Sequence, residues 1–254
     1  MKNIFDSHAH YNDEQFDIDR DALLASLPEA GIVGIINCGT DVKSSYDSIT
    51  MTEKYPFIYA ACGYHPEAVA DANDENLLEI EKMLKHNKCV ALGEIGLDYH
   101  YDFVPKNIQL EFFEKQLDMA VRNNIPVIVH DREAHADTLA LLKKYRPQGV
   151  LHCFSGSVET AKEILNLGMY IGLGGAVTFK NAVKPVEVAS MIPLDRLLLE
   201  TDCPYMAPVP KRGKRNKSDY IEYVAEKIGE IRNISADELL NITAENTKKL
   251  FSIK

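Results

Sequence analysis

Several protein classes are excluded by what the chain lacks. No apolar run in its 254 residues approaches the ~20 needed to span a bilayer, so no membrane segment is expected. The N-terminus has one lysine and then Asp6, without the apolar core or cleavage-like site of a secretory leader; a cytoplasmic location is expected. No low-complexity tract or linker divides the chain. Cysteine is sparse and odd in number, five in all (Cys38, Cys62, Cys89, Cys153 and Cys203). Most lie in or beside apolar runs, which reads as reduced, buried thiols and not as a disulfide framework. Positive charge is also short: 28 Lys and Arg against 38 Asp and Glu leave −10. That argues against broad electrostatic attraction to nucleic acid, while a local basic site stays open.

What is present is a rhythm. Apolar runs recur at Asn3–Phe5, Gly31–Cys38, Phe57–Cys62, Cys89–Leu92, Ile125–Val129, Gly149–His152, Met169–Leu173 and Arg196–Leu199. Most are continuous Val/Ile/Leu/Ala, which suits parallel strands covered on both faces. Helix-like stretches separate them: Asp19–Ala30, Asp74–His86, Lys106–Asn123, Ala134–Tyr145, Val158–Leu167, Tyr220–Ile231 and Asp237–Phe251, the last opened by a Ser235/Glu238 capping box. Eight strand–helix units in about 250 residues predict a single α/β domain over 1–254, a (β/α)8 TIM barrel. An open doubly wound sheet is the competing layout.

In a barrel the site lies at the C-terminal ends of the strands. The first run leads into His8 and His10, the third into His65, the fourth into Glu94, the fifth into His130 and Arg132, the sixth into His152 and the eighth into Asp202. In a strand, His8 and His10 would share a face. His8, His10, Glu94, His130, His152 and Asp202 are the ligand types for two divalent cations: His8, His10 and Asp202 on one, His130 and His152 on the other, and Glu94 bridging. Paired ions stabilise both attacking and leaving oxygens and lower the pKa of water. Asp202 is also the candidate general base, and Glu94 and Asp202 are the two expected catalytic residues. The metals are Mg2+, Mn2+ or Zn2+; histidine-rich ligation favours the latter two over Mg2+, which prefers oxygen.

These segments together resemble the TatD-type metal-dependent hydrolases, a deoxyribonuclease family of the amidohydrolase-like superfamily. The resemblance rests on Ile4-Phe5-Asp6-Ser7-His8-Ala9-His10, Gly93-Glu94-Ile95-Gly96-Leu97-Asp98, Pro126-Val127-Ile128-Val129-His130-Asp131-Arg132, His152-Cys153-Phe154-Ser155-Gly156 and Leu199-Glu200-Thr201-Asp202-Cys203-Pro204. It implies a barrel, a divalent-metal site on the six residues and phosphodiester hydrolysis with 3′-end exonuclease action. DNA 3′ ends, or RNA, are then the substrate, and Mg2+ the usual supporting ion. An amidohydrolase of a cyclic amide, lactone or ester is the alternative; many such relatives bridge their metals with a modified strand-four lysine, and Glu94 stands there instead. A metal-keeping binding protein without turnover is the rival from another class.

Secondary candidates follow. His65 contacts a substrate phosphate, shuttles a proton or is a turn histidine; Arg132 grips a phosphate or pairs with a nearby carboxylate. The basic loop 211–217 is a backbone-gripping arm or a solvated charge run. Tyr64, Tyr99, Phe154 and Tyr205 are packing residues or base-stacking ones. Cys153 and Cys203 are expected to turn away from the site, and His86, His100 and His135 to have no role. A monomer is compatible with the acidic surface.

Overall fold

Eight parallel strands pair in chain order around the computed structural model, which describes residues 1–254. They are β1 (Ile4–Ala9), β2 (Ile32–Cys38), β3 (Ile58–Cys62), β4 (Cys89–Asp98), β5 (Val127–Arg132), β6 (Gly149–Leu151), β7 (Tyr170–Leu173) and β8 (Leu197–Leu199). Between and after them run α1 (Arg20–Ser26), α2 (Val42–Lys54), α3 (Asp74–Met83), α4 (Lys106–Asn123), α5 (His135–Tyr145), α6 (Val158–Asn166), α7 (Lys184–Met191), α8 (Ile221–Arg232) and α9 (Ala236–Leu250). This is the (β/α)8 barrel that the apolar rhythm predicts, and no open edge of a doubly wound sheet remains. No helix is long and apolar enough to cross a membrane.

The two faces of each strand feed different cores. One buried cluster takes a residue from every strand (Phe5, Ile36, Ala61, Ala91, Ile128, Val150, Tyr170 and Leu198) and is met by Leu250 and Phe251 at the end of α9. Only the barrel interior lets all eight strands touch in this way. A larger cluster of 52 residues joins the outward strand positions to the helices. All five cysteines are free thiols.

The interior parity explains which later residues reach the site. Counting by twos from the interior residues, Ile128 leads to His130 and Arg132, Val150 to His152, and Leu198 to Glu200 and Asp202. On β1 and β4 the same count points His8, His10 and Glu94 outward. Each of these strands has one extra residue at that place. Asp6 and Ala9 pair with Ile35 and Asn37, three steps against two; Leu92 and Ile95 pair with Val127 and Val129, again three against two. A bulge shifts parity by one and re-aims the side chains beyond it, so both bulges turn donors inward. Gly96 follows the second: at φ +149° its missing side chain lets β4 lie against β5, where a Cβ would stand 1.9 Å from the His130 carbonyl.

The β8–β1 seam closes mainly beyond the strands. His10 N–H donates to Cys203 O at 2.8 Å and Asp202 N–H to His8 O at 3.0 Å. Below these, the buried Asp6 carboxylate accepts from Thr201 N–H at 3.0 Å, Thr201 Oγ1 at 2.6 Å and Ser218 Oγ at 2.6 Å.

The helices differ from expectation where their buried faces are not aliphatic. No leucine stripe marks α2, because it buries Ser44, Ser45, Ser48, Met51 and Thr52; it begins at a capping box of Asp41 and Ser44. The short α7, with a proline in its first turn, likewise lacks a long stripe. At α9 the Ser235 hydroxyl accepts the Glu238 N–H, one half of the expected box.

Candidate metal centre and substrate cavity

All six predicted ligands meet at the C-terminal mouth of the barrel, around the Glu94 carboxylate. Its Oε2 lies 3.3 Å from His8 Nε2 and 3.4 Å from His10 Nε2. Its Oε1 lies 2.8 Å from His130 Nδ1, 2.7 Å from His152 Nε2 and 3.6 Å from His65 Nε2. Asp202 Oδ1 completes the first group, 3.7 Å from His8 and 3.5 Å from His10. The imidazoles are close too: His8 and His10 Nε2 are 2.9 Å apart, and His130 Nδ1 is 3.3 Å from His152 Nε2.

These spacings fit the edges of a coordination shell. Donors held ~2.0–2.2 Å from one ion stand about 3–3.5 Å from each other. Among the groups of metal-binding residue types that converge are His8, His10 and Glu94, then His8, His152 and Asp202, and His65, Glu94 and His130. The tautomers are set from behind. His10 Nδ1 meets the Cys38 carbonyl at 3.0 Å, so that nitrogen carries a proton in either charge state, and Nε2 is the one that offers a lone pair once the ring is neutral. His130 Nε2 meets Asp98 Oδ2 at 3.1 Å, the carboxylate–histidine pairing that orients metal ligands. For His65 the order is reversed. Its Nδ1 accepts the Glu67 N–H at 3.2 Å, leaving Nε2–H as a donor aimed at Glu94.

Among the side chains themselves, charge is balanced by protons. Burial disfavours the His10 cation, but bonds to Asp202 and Glu94 outweigh it and raise His10 to about 10. His130 is raised to about 10 in the same way by Asp98 and Glu94. Burial and the charge of His152 lower His8 to about 4; burial lowers His65 to about 3, against the pull of Glu94. Burial alone would raise Glu94 and Asp202, yet the surrounding imidazoles hold both carboxyls below their ordinary values.

Above the cluster opens a cavity of about 930 Å3, bounded by Glu94, His130, Asp202, Tyr101, Arg132 and Lys184 among others. It is large enough for an extended polar ligand. Arg132 lies on the interior face of β5, as the parity from His130 predicts, and neither it nor Lys184 is among the ion pairs within 4 Å. The basic loop does not border the cavity. Arg215 forms a forked pair with Asp19 at 2.7 and 2.6 Å, Lys217 pairs with Asp219, and Arg212 lies over Phe179.

Other expectations divide. Tyr64 and Phe154 are buried packing residues; Tyr99 bonds Asp137 and Tyr205 bonds Asp13, though Tyr205 borders the cavity. Cys203 is buried among core residues, whereas Cys153 borders the cavity. It has φ +42°, which breaks the alternation the prediction assumed. His135, expected to have no role, also borders the cavity and is fixed by Asp131 at 2.7 Å. Three groups escaped sequence reasoning. Asp98 sits within the Gly93–Asp98 motif, four residues beyond Glu94, a spacing that could have flagged it. Glu200 is buried, accepts the Cys153 N–H and is pushed up to about 8 by burial; it lies two residues before Asp202. Lys184 carries no sequence signal.

Comparison with known proteins bears on this geometry. Residues 5–252 match the family described as TatD related DNase. The chain is 45% identical to the uncharacterized metal-dependent hydrolase YabD of Bacillus subtilis over 98% of its own length and 99% of that protein. It is 34% identical to the 3′-5′ ssDNA/RNA exonuclease TatD of Edwardsiella piscicida, over 98% and 100%. The crystal structure of YjjV, a TatD homologue from Escherichia coli K12, superposes with a TM-score of 0.93 at 33% identity, covering 99% of both chains.

Proposed function

We propose that this chain, which belongs to the TatD-related DNase family and is a metal-dependent hydrolase, removes nucleotides from the 3′ ends of single-stranded DNA or RNA using two divalent ions. The observation that carries this reading is the division of Glu94, one oxygen facing His8 and His10 and the other facing His130 and His152. The relative from Edwardsiella piscicida, named as an ssDNA/RNA exonuclease, supplies the substrate class.

His8, His10 and Asp202 would hold one ion and His130 and His152 the other, with Glu94 shared. When bound, the ions supply Lewis acidity toward a phosphoryl oxygen and bring the pKa of water toward ~7. Asp202 has a side chain 19% exposed against 4% for Glu94. It is ionised at neutral pH and faces the cavity, so it takes the proton of the attacking water. Arg132 and Lys184 neutralise phosphate oxygens in a protein of net charge −10. His65, neutral and donating from Nε2, holds a third phosphate oxygen. The imidazoles suit Mn2+ or Zn2+; Mg2+ fits as an exchangeable ion on the carboxylate oxygens.

The test is cleavage of 5′-labelled single strands by protein loaded with Mn2+, Mg2+ or Zn2+, beside Glu94→Gln and a panel of lactones and cyclic amides. Expected are stepwise shortening from the 3′ end and, for Glu94→Gln, a loss beyond the ~10–100-fold typical of outer metal partners. Turnover of a lactone or amide with every phosphodiester left intact would overturn the reading in favour of the amidohydrolase alternative.

A further inference from the structure

The loop between β4 and α4 holds an aromatic feature that the site described so far does not use. Tyr101 and Phe103 stack with ring centroids 5.0 Å apart and planes 10° from parallel. They are 40% and 70% exposed, although rings of this size ordinarily bury most of their surface. The Arg132 guanidinium lies 4.9 Å from the Tyr101 centroid, and both residues border the cavity that contains Glu94 and His130. His100 meets Tyr101 edge-on at 4.7 Å and is anchored to Glu133 at 2.7 Å, which holds the stack in place. The exposure is not scattered. Ile18, Tyr101, Phe103, Val183 and Tyr205, half of the ten large exposed hydrophobic residues, lie on loops that follow strands, on the cavity face.

Resting on the nuclease reading, we propose that Tyr101 and Phe103 form a nucleobase-stacking platform beside the phosphate site, which engages an unpaired base near the scissile bond. Stacking on an aromatic face is open to every base, because each has a π-face to offer. Arg132 touches the platform and reaches into the cavity, so one side chain couples the position of the phosphate to that of the base. A base inside a duplex is stacked on both faces, and the terminal one is stacked on one face and held by its pair, so neither turns onto the rings without first unpairing. The platform thereby favours single-stranded ends without a specific contact to the second strand.

The experiment follows single-strand hydrolysis by the metal-loaded enzyme on oligonucleotides that carry one abasic site, walked through the last four nucleotides. In the wild type one abasic position should raise KM by about tenfold. In the double variant Tyr101→Ala/Phe103→Ala that discrimination should vanish, the abasic and normal strands becoming equivalent. Tyr101→Phe keeps the ring and should keep the discrimination. A merely structural role would weaken both substrates alike and leave their ratio intact. A ratio that persists in the double variant, or no sensitive position in the wild type, overturns the platform while the nuclease reading stands. Failure of the wild type to cleave any strand overturns the nuclease reading, and the platform with it. A dimer abolished by Phe103→Ala would show that a second copy of the chain covers the rings, and would overturn the proposal too.

Discussion

Loading the site with metal should expel protons, and the amount follows from its carboxylates. His10 and His130 are each raised from 6.5 to about 10, so both are cationic at neutral pH in the metal-free protein. Their lone pairs are unavailable until those protons leave. With at least one such histidine in each donor group, and His152 also raised by Glu94 in the second, each ion should release one proton or more at pH 7.5. Each apparent affinity should then strengthen about tenfold or more per pH unit up to roughly pH 9. Titration calorimetry in buffers of different ionisation enthalpy reads the protons directly. Stability follows with the opposite sign when metal is absent. A histidine raised from its unfolded value stabilises the fold below pH 6.5, and that contribution is lost as pH rises through about 10. The displacement is equivalent to at most roughly 5 kcal/mol per histidine, less where the unloaded site relaxes. Chelated protein should therefore lose stability over the pH range in which loaded protein gains it. Metal binding without proton release, or with an affinity flat from pH 7 to 9, would refute the reasoning.

Four further outcomes follow from named contacts. Asp202→Asn should lower kcat by about 10^2–10^4-fold, as loss of a general base does, and lower the neutral-pH unfolding midpoint in the absence of metal, because the His10 cation loses one of its two carboxylate partners; steady-state kinetics and thermal melts decide it. Asp98→Ala removes the partner of His130 Nε2 and should weaken metal binding by about 10–100-fold, measured by competition with a chromophoric chelator. Asp6→Ala strands the Thr201 and Ser218 donors and should destabilise the fold by about 3–5 kcal/mol in urea unfolding; an unchanged midpoint would show that the seam closes without them. Gly96→Ala places a Cβ 1.9 Å from the His130 carbonyl at φ +149°; a loss of at least about 2 kcal/mol and weaker metal uptake are expected, from the same unfolding and chelator measurements.

The barrel was legible because parallel strands covered on both faces must be apolar throughout, and the spacing of such runs left few alternatives. The convergence of the candidate ligands was legible because histidine is scarce and most of the chain's eight follow apolar runs. What escaped notice has physical reasons. The count by twos works on β5, β6 and β8 but points His8, His10 and Glu94 the wrong way, and of the bulges that correct it only the one on β4 is marked, by Gly93 and Gly96. Asp98 and Glu200 act through other residues, so each looked like one carboxylate among 38 acidic residues. The positive charges at 211–217 were conspicuous in sequence, yet Arg212, Arg215 and Lys217 are engaged with neighbours. Arg132, marked in the sequence by its place two residues after His130, borders the cavity, as does Lys184, which nothing in the sequence marked. Tyr101 and Phe103 differ from other aromatics only in the exposure that tertiary structure leaves them.

The β8–β1 seam also sets a timetable for biosynthesis. Asp6 waits for Thr201, a partner 195 residues downstream, and His8 and His10 wait equally long for Asp202. At ~5–20 residues per second, the ribosome delivers that partner roughly 10–40 s after the first strand. During this interval β1 can pair with β2 but not with β8, and the histidines stand without their carboxylate. A nascent chain arrested near residue 190 should therefore lack one donor group of the centre and bind divalent ions more weakly than the released protein. Joining the first strand to the last makes assembly of the reactive centre one of the final events in the protein's synthesis.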